Sequence, residues 1–225
     1  QLGEGCYLIS RSEMKRIGPP SSPSSIRSRT AAKPDLTVRS PEDGIAIWSH
    51  RDVLSFFVDT TLKVTPQSKS AIFLPCAVEK PYCVSRSHKT YFYAMRDLLD
   101  DLDVFVLSEP MTIVPYQYCD EYPVAYYDYP PTPTILTDTS NKIFRSRLST
   151  WLGIFLPHYE QRIIIYRDSS AGIHYKEMFV SSVDQSGVVD QGFDEIVCQD
   201  YSDEESERIR SRLGIFLQSR KTRFA

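Results

Sequence analysis

Apolar and polar positions change period several times along this chain, and each change marks an element. "IAIWSHRDVLSFFVDTTLKV" places Val53, Leu54, Phe57 and Val58 at the three- and four-residue spacing of a helix. A short apolar run, "SAIFLP", then reads as a buried strand, and "SRSHKTYFYAMRDLLDDL" as an amphipathic helix opened by serines. "DVFVLS" is a second strand of β-branched and aromatic residues. "EPMTIVPYQYCDEYPVAYYDYPPTPT" has too many prolines for a helix and predicts a long loop whose tyrosines need burial or a ligand. Beyond it, "NKIFRSRLSTWLGIFL" predicts a helix, "QRIIIYRD" a third buried strand, "AGIHYKEMFVSSV" a weaker helix and "FDEIVCQD" a fourth strand. "SDEESERIRSRLGIFLQSRK" ends the series as a helix with Ser202 at its N-cap and acids in its first turn. This alternation predicts an α/β domain with a mostly parallel sheet and helices on both faces.

With 225 residues, 41% of them hydrophobic, the chain can bury one full-sized core. Its formal charge of −3 gives no global attraction to nucleic acid. The ends differ from the body. Residues 1–33 carry Arg11, Lys15, Arg16, Arg27, Arg29 and Lys33 against Glu4 and Glu13, and the tail adds Arg220, Lys221 and Arg223. Together with "RIGPPSSPSSIRSRTAAKPD", this divides the chain into a flexible, basic, Ser/Pro-rich arm over residues 1–40 and a core over 41–225. Such ends read either as solubilising tails or as phosphate-seeking arms. No apolar stretch approaches the ~20 residues that a bilayer crossing needs. The first residues lack a secretory layout, and five scattered cysteines without a CxxC pair read as reduced thiols. A cytoplasmic protein is expected, with neither a disulfide framework nor a metal site.

Ligands of such sheets bind beyond the carboxyl ends of the strands. That rule draws attention to "PCAVEKPYCVSRSH", directly after the first strong strand. Each residue there has a plain reading: Cys76 as a buried apolar side chain, His88 as an ordinary helix histidine, Lys80-Pro81-Tyr82 as a rigid turn, Ser85 and Ser87 as caps. Their combination points further. A serine-opened helix N-terminus suits an anionic or electron-rich ligand. Lys80 adds charge, and Cys76 beside it is expected to have a lowered pKa. His88 is expected to exchange protons near neutrality. In "YPVAYYD", Tyr122, Tyr126 and Tyr127 either stack on a base or pack the loop, and Asp128 either accepts from a guanine-like edge or begins a turn. No phosphate-binding glycine loop, HExxH or GxSxG pattern is present.

Pro75-Cys76, Lys80-Pro81-Tyr82, Ser85 and His88, at their spacing here, resemble the signature of the archaeosine synthase core domain family. "SEPMTIVP" and "YPVAYYD" are similar to its second block, so the resemblance covers roughly residues 70–130. Ala77 stands where the pattern implies serine, Thr112 where it implies glycine, and "YQYCDE" lacks its Arg-Glu character. The resemblance implies a three-layer domain of uracil-DNA-glycosylase-like layout. It implies transfer of free lysine to the nitrile of 7-cyano-7-deazaguanine in the tRNA D-loop, on the way to archaeosine. On that basis Cys76, His88 and Tyr82 are the expected catalytic residues, with His88 or Tyr82 protonating the nitrile nitrogen. Lys80, Ser85, Ser87, Asp128 and Tyr127 are the expected substrate contacts. The implied partners are tRNA, free lysine and a transglycosylase-like or radical enzyme subunit, with no membrane and no cofactor. The alternative is a non-catalytic tRNA- or partner-binding subunit of such a complex.

Overall fold

The computed structural model describes residues 36–130, 132, 135–188 and 192–221. Most of the basic arm and Arg223 of the basic tail lie outside this range. The first described strand, β1 (Leu36–Thr37), pairs in parallel with β5 (Tyr127–Asp128), and Val38 is buried. Two helices follow, α1 (Pro41–Ala46), opened by a Ser40 capping box, and α2 (Arg51–Lys63). The expected helical spacing is realised in α2: Val53 is buried and Phe57 packs against the core, while Leu54 and Val58 face outward.

The main sheet contains β2 (Ser70–Pro75), β3 (Asp103–Ser108), β4 (Thr112–Pro115), β6 (Gln161–Arg167) and β7 (Asp194–Cys198), in the order β4-β3-β2-β6-β7. Every pairing is parallel except β3 with β4. The antiparallel β4 lies inside the segment expected to be loop. It begins at Thr112, whose φ of 70° is left-handed, a conformation that favours glycine.

Helices α3 (Arg86–Met95), α4 (Asp138–Phe155), α5 (Ser170–Gln185) and α6 (Asp203–Lys221) connect and cover the strands. The α3 crossover leads leftward from β2 to β3 and the α5 crossover rightward from β6 to β7, so right-handed connections put them on opposite faces. α3 packs with α6, and α4 with α5. The result is the expected three-layer α/β domain.

Burial on both faces explains the unbroken apolar runs. All six residues of β2 are buried. Phe73 and Phe105 sit side by side in register and pack against Trp151 of α4 and, for Phe73, against Phe179 of α5 at 4.6 Å between centroids. Each fully buried aromatic contributes roughly 1.5–3 kcal/mol of transfer free energy. Ser85, Thr137, Ser169 and Ser202 accept backbone N–H bonds as helix N-caps, each worth about 1 kcal/mol. Among the described residues no helix is long and apolar enough to cross a membrane.

Candidate active site

Strand order reverses at β2: the chain leaves it toward β3 on one side and later returns beside it as β6 on the other. The carboxyl ends of β2 and β6 therefore diverge into a crevice, the usual ligand position in open α/β sheets. Cys76 is the first residue past β2. Pairing of Pro75 with Leu107 sets it level with Ser108 and Glu109 at the end of β3. From the β6 side, α5 brings His174 and Tyr175. Its approach is close because Gly172 has no side chain: a Cβ there would lie 2.0 Å from the Arg167 carbonyl oxygen.

The crevice holds two connected polar groups. In the first, Tyr82 donates to Ser108 Oγ at 2.8 Å and lies 2.5 Å from the Tyr127 hydroxyl, which also bonds Ser108. Lys80 lies over these rings, with Nζ 4.5 Å from the Tyr127 centroid and 5.2 Å from that of Tyr82, and donates to the Ala77 carbonyl. Burial holds the Tyr82 and Tyr127 phenols far above the usual tyrosine range, so both stay protonated. In the second group, the Cys76 sulfur lies 3.1 Å from the Tyr175 hydroxyl, and that hydroxyl donates to Glu109 Oε2. His174 Nε2 sits 3.0 Å from Glu109 Oε1. Cys76 is partly exposed, whereas Glu109 is only 2% exposed.

Burial raises the Cys76 thiol above its ordinary pKa, and the Lys80 charge pulls it only partly back. This corrects the expectation of a lowered value: desolvation outweighs the neighbouring ammonium. Cys83, expected to be a reduced thiol, is disulfide-bonded.

His88 is placed differently from its expected role. It is fully buried, stacked between Tyr82 and Tyr116 at 5.0 and 5.7 Å, with Tyr91 edge-on, and its Nε2 donates to the Pro75 carbonyl at 3.0 Å. Burial lowers its pKa to about 3, so the imidazole is neutral throughout the physiological range. That leaves no proton exchange near neutrality. Its hydrogen bond instead fixes the backbone immediately before Cys76.

Ser85 is buried as the α3 cap, accepting from the His88 N–H at 3.2 Å, and Ser87 lies 3.3 Å from it, hydroxyl to hydroxyl. Asp128 points away from Tyr127 across the pleat and is exposed, while its carbonyl accepts from Val38 N–H at 2.8 Å. Tyr122 donates to Asp52 in a separate cleft of about 330 Å³ beside α2. The structure thus gathers Cys76, Lys80, Tyr82 and Tyr127, keeps Ser85, Ser87 and His88 as their support, and leaves Asp128 outside. Glu109, His174, Tyr175 and Ser108 were not anticipated. The signal that could have found them is the one that found Cys76: Ser108-Glu109 follows "DVFVL", and His174-Tyr175 lies in the helix after "QRIIIYRD". Among the described residues no cluster of three or more His, Cys, Asp or Glu side chains could hold a metal ion.

Comparison with known proteins agrees with the region singled out by its residues. A family model described as Domain of unknown function (DUF5591) matches residues 55–189. Archaeosine synthase subunit alpha of Thermoplasma acidophilum is 34% identical over 67 residues, 30% of this chain and 13% of that protein. The protein of the same name from Methanosarcina acetivorans is 33% identical over 63 residues, 28% of this chain and 10% of that protein. These alignments therefore take in only a small part of either curated relative. No solved structure matches. More than half of the chain falls within the family match, and the chain belongs to the DUF5591 family, a domain family related to archaeosine synthase.

Proposed function

We propose that this domain takes part in tRNA modification, joining the amine of free lysine to the nitrile carbon of a 7-cyano-7-deazaguanine base. The observation that carries this reading is the partly exposed Cys76 thiol at the strand-order reversal, with an ammonium close by and protonated phenols behind it. A nitrile carbon accepts a nucleophile only as its nitrogen gains a proton or a strong hydrogen bond. Cys76 adds to the carbon and gives a thioimidate. Lys80 is the proton donor to the nitrogen, and Tyr82 and Tyr127 hold Lys80 over their rings. The incoming amine displaces the thiol, leaving an amidine. The relatives' name, archaeosine synthase, supports a place in archaeosine formation, and "subunit alpha" supports the existence of a partner subunit.

Incubation with cyano-deazaguanine tRNA and labelled lysine, followed by nucleoside mass analysis, tests the reading. A lysine-adducted nucleoside is expected. Binding of tRNA with unchanged nucleosides would favour the non-catalytic binding subunit, and release of free base would point to excision.

A further inference from the structure

Glu109 is a carboxylate buried to 2% exposure, where acids are rarely found without a reason. It is held by an imidazole and a phenol, His174 at 3.0 Å and Tyr175. Tyr175 is itself buried and, with its pKa raised far above the usual range by that burial, keeps its proton. A phenol has one proton to give. The hydroxyl reaches both Glu109 Oε2 and, as a donor at 3.1 Å, the Cys76 sulfur, whose own S–H is directed at the Ala77 carbonyl. When the phenol proton is given to Glu109, the Tyr175 oxygen is left able to accept from the thiol. Thiol, phenol and carboxylate thus stand in one hydrogen-bonded line, with Tyr175 in the middle.

We propose that Glu109, acting through Tyr175, is the proton acceptor that activates Cys76 toward an electrophilic carbon. In its full form this rests on the nitrile reading above. As the carbon–sulfur bond forms, the S–H proton passes to the Tyr175 oxygen and the phenol proton to Glu109. One bond of the carbon–nitrogen triple bond breaks, and its electron pair takes a proton from the Lys80 ammonium. When neutral lysine adds and the carbon–sulfur bond breaks, the thiolate recovers its proton from Glu109 through Tyr175. The excess proton on the new amidine nitrogen returns to Lys80, so every group is restored. Glu109 and Tyr175 act through the thiol rather than on the substrate, while His174 fixes the carboxylate. The charged and titratable groups facing Cys76 are Lys80, Glu109, Tyr175, Tyr127 and Tyr82. Those facing Glu109 are His174, Tyr175, Cys76 and, at longer range, Tyr82 and Tyr129.

The test uses the whole chain and a small heteroaryl nitrile, 2-cyanopyrimidine, without tRNA or amine. Adduct formation is followed by intact mass between pH 6 and 8, with Cys76→Ser as the blank. An internal acceptor makes the wild-type rate nearly independent of pH across this range. Glu109→Gln and Tyr175→Phe must instead lose the proton to solvent. Their rates are expected to fall roughly 10²-fold at pH 6, within the usual range for a lost acid–base group, and to climb about tenfold per pH unit as thiolate accumulates. Iodoacetamide labelling of Cys76 gives its pKa separately. That value is expected to fall or stay level in Glu109→Gln, since a negative neighbour has gone, which separates lost relay from lost thiolate. A wild-type rate that rises as steeply as the variants', flat profiles in the variants, or no wild-type adduct would overturn the proposal. A normal adduct profile without lysine transfer to tRNA sinks the tRNA reading and leaves the relay standing. Undiminished lysine transfer in Glu109→Gln does the reverse.

Discussion

Two faces of the same loop, twelve residues apart in sequence, have opposite chemistry. Around His88 the surroundings are dry and aromatic: Tyr82, Tyr91 and Tyr116 enclose a neutral imidazole whose hydrogen bond goes to backbone. Around Cys76 they are polar and partly open, with an ammonium, a phenol and a buried carboxylate within one connected network. A motif that reads as a single cluster in sequence thus divides into a half that holds shape and a half that faces substrate. Low dielectric serves both: it silences the histidine and it strengthens the interactions within the polar network.

Substitution on each face should break different properties. Cys76→Ala is expected to reduce lysine transfer by at least about 10³-fold, with a melting temperature near that of wild type. His88→Ala is expected to do the converse. It removes a ring packed on three sides and orphans a buried carbonyl, costing roughly 3 kcal/mol of stability, while activity per folded molecule at low temperature falls far less. Thermal melts and single-turnover assays on the two variants check the pair, and equal losses of activity with equal stability would erase the distinction.

A titration sharpens it. The His88 pKa is about 3 in the folded chain against 6.5 ordinarily, so between those values the unfolded state binds the extra proton. Stability from this residue is complete above pH 6.5 and is lost as pH falls toward 3, at up to about 1.4 kcal/mol per pH unit. Denaturant midpoints measured across that window should slope downward into acid, and His88→Gln should flatten the slope. An unchanged slope would mean the imidazole is hydrated after all.

The smallest effect concerns Thr112, a β-branched residue at φ 70° with a buried, unpartnered hydroxyl. Thr112→Gly relieves both and is expected to raise stability by about 1 kcal/mol net of glycine's entropy cost. A lower melting temperature would show that its packing outweighs the strain.

Period changes made the alternating strands and helices legible, because parallel strands buried on both faces leave unbroken apolar runs such as "SAIFLP". β4 was not legible: a strand of four residues between prolines, with a left-handed start, carries turn signals rather than strand signals. Within the site, Cys76 and Lys80 could be found because local spacing holds them together. Glu109 and Tyr175 meet Cys76 only through strand order, from 33 and 99 positions away. The proton exchange expected of His88 near neutrality was misjudged for a related reason. Sequence gives the residue type, but enclosure by Tyr116, from another segment, sets its protonation.

At Gly172 a hydrogen atom faces the Arg167 carbonyl where any larger group would collide. The separation between thiol and phenol is thereby gauged by hard contact between backbones rather than by the polar groups themselves. A methyl at that position would push the helix outward and detach one bank of the crevice from the other, leaving each bank intact yet out of reach.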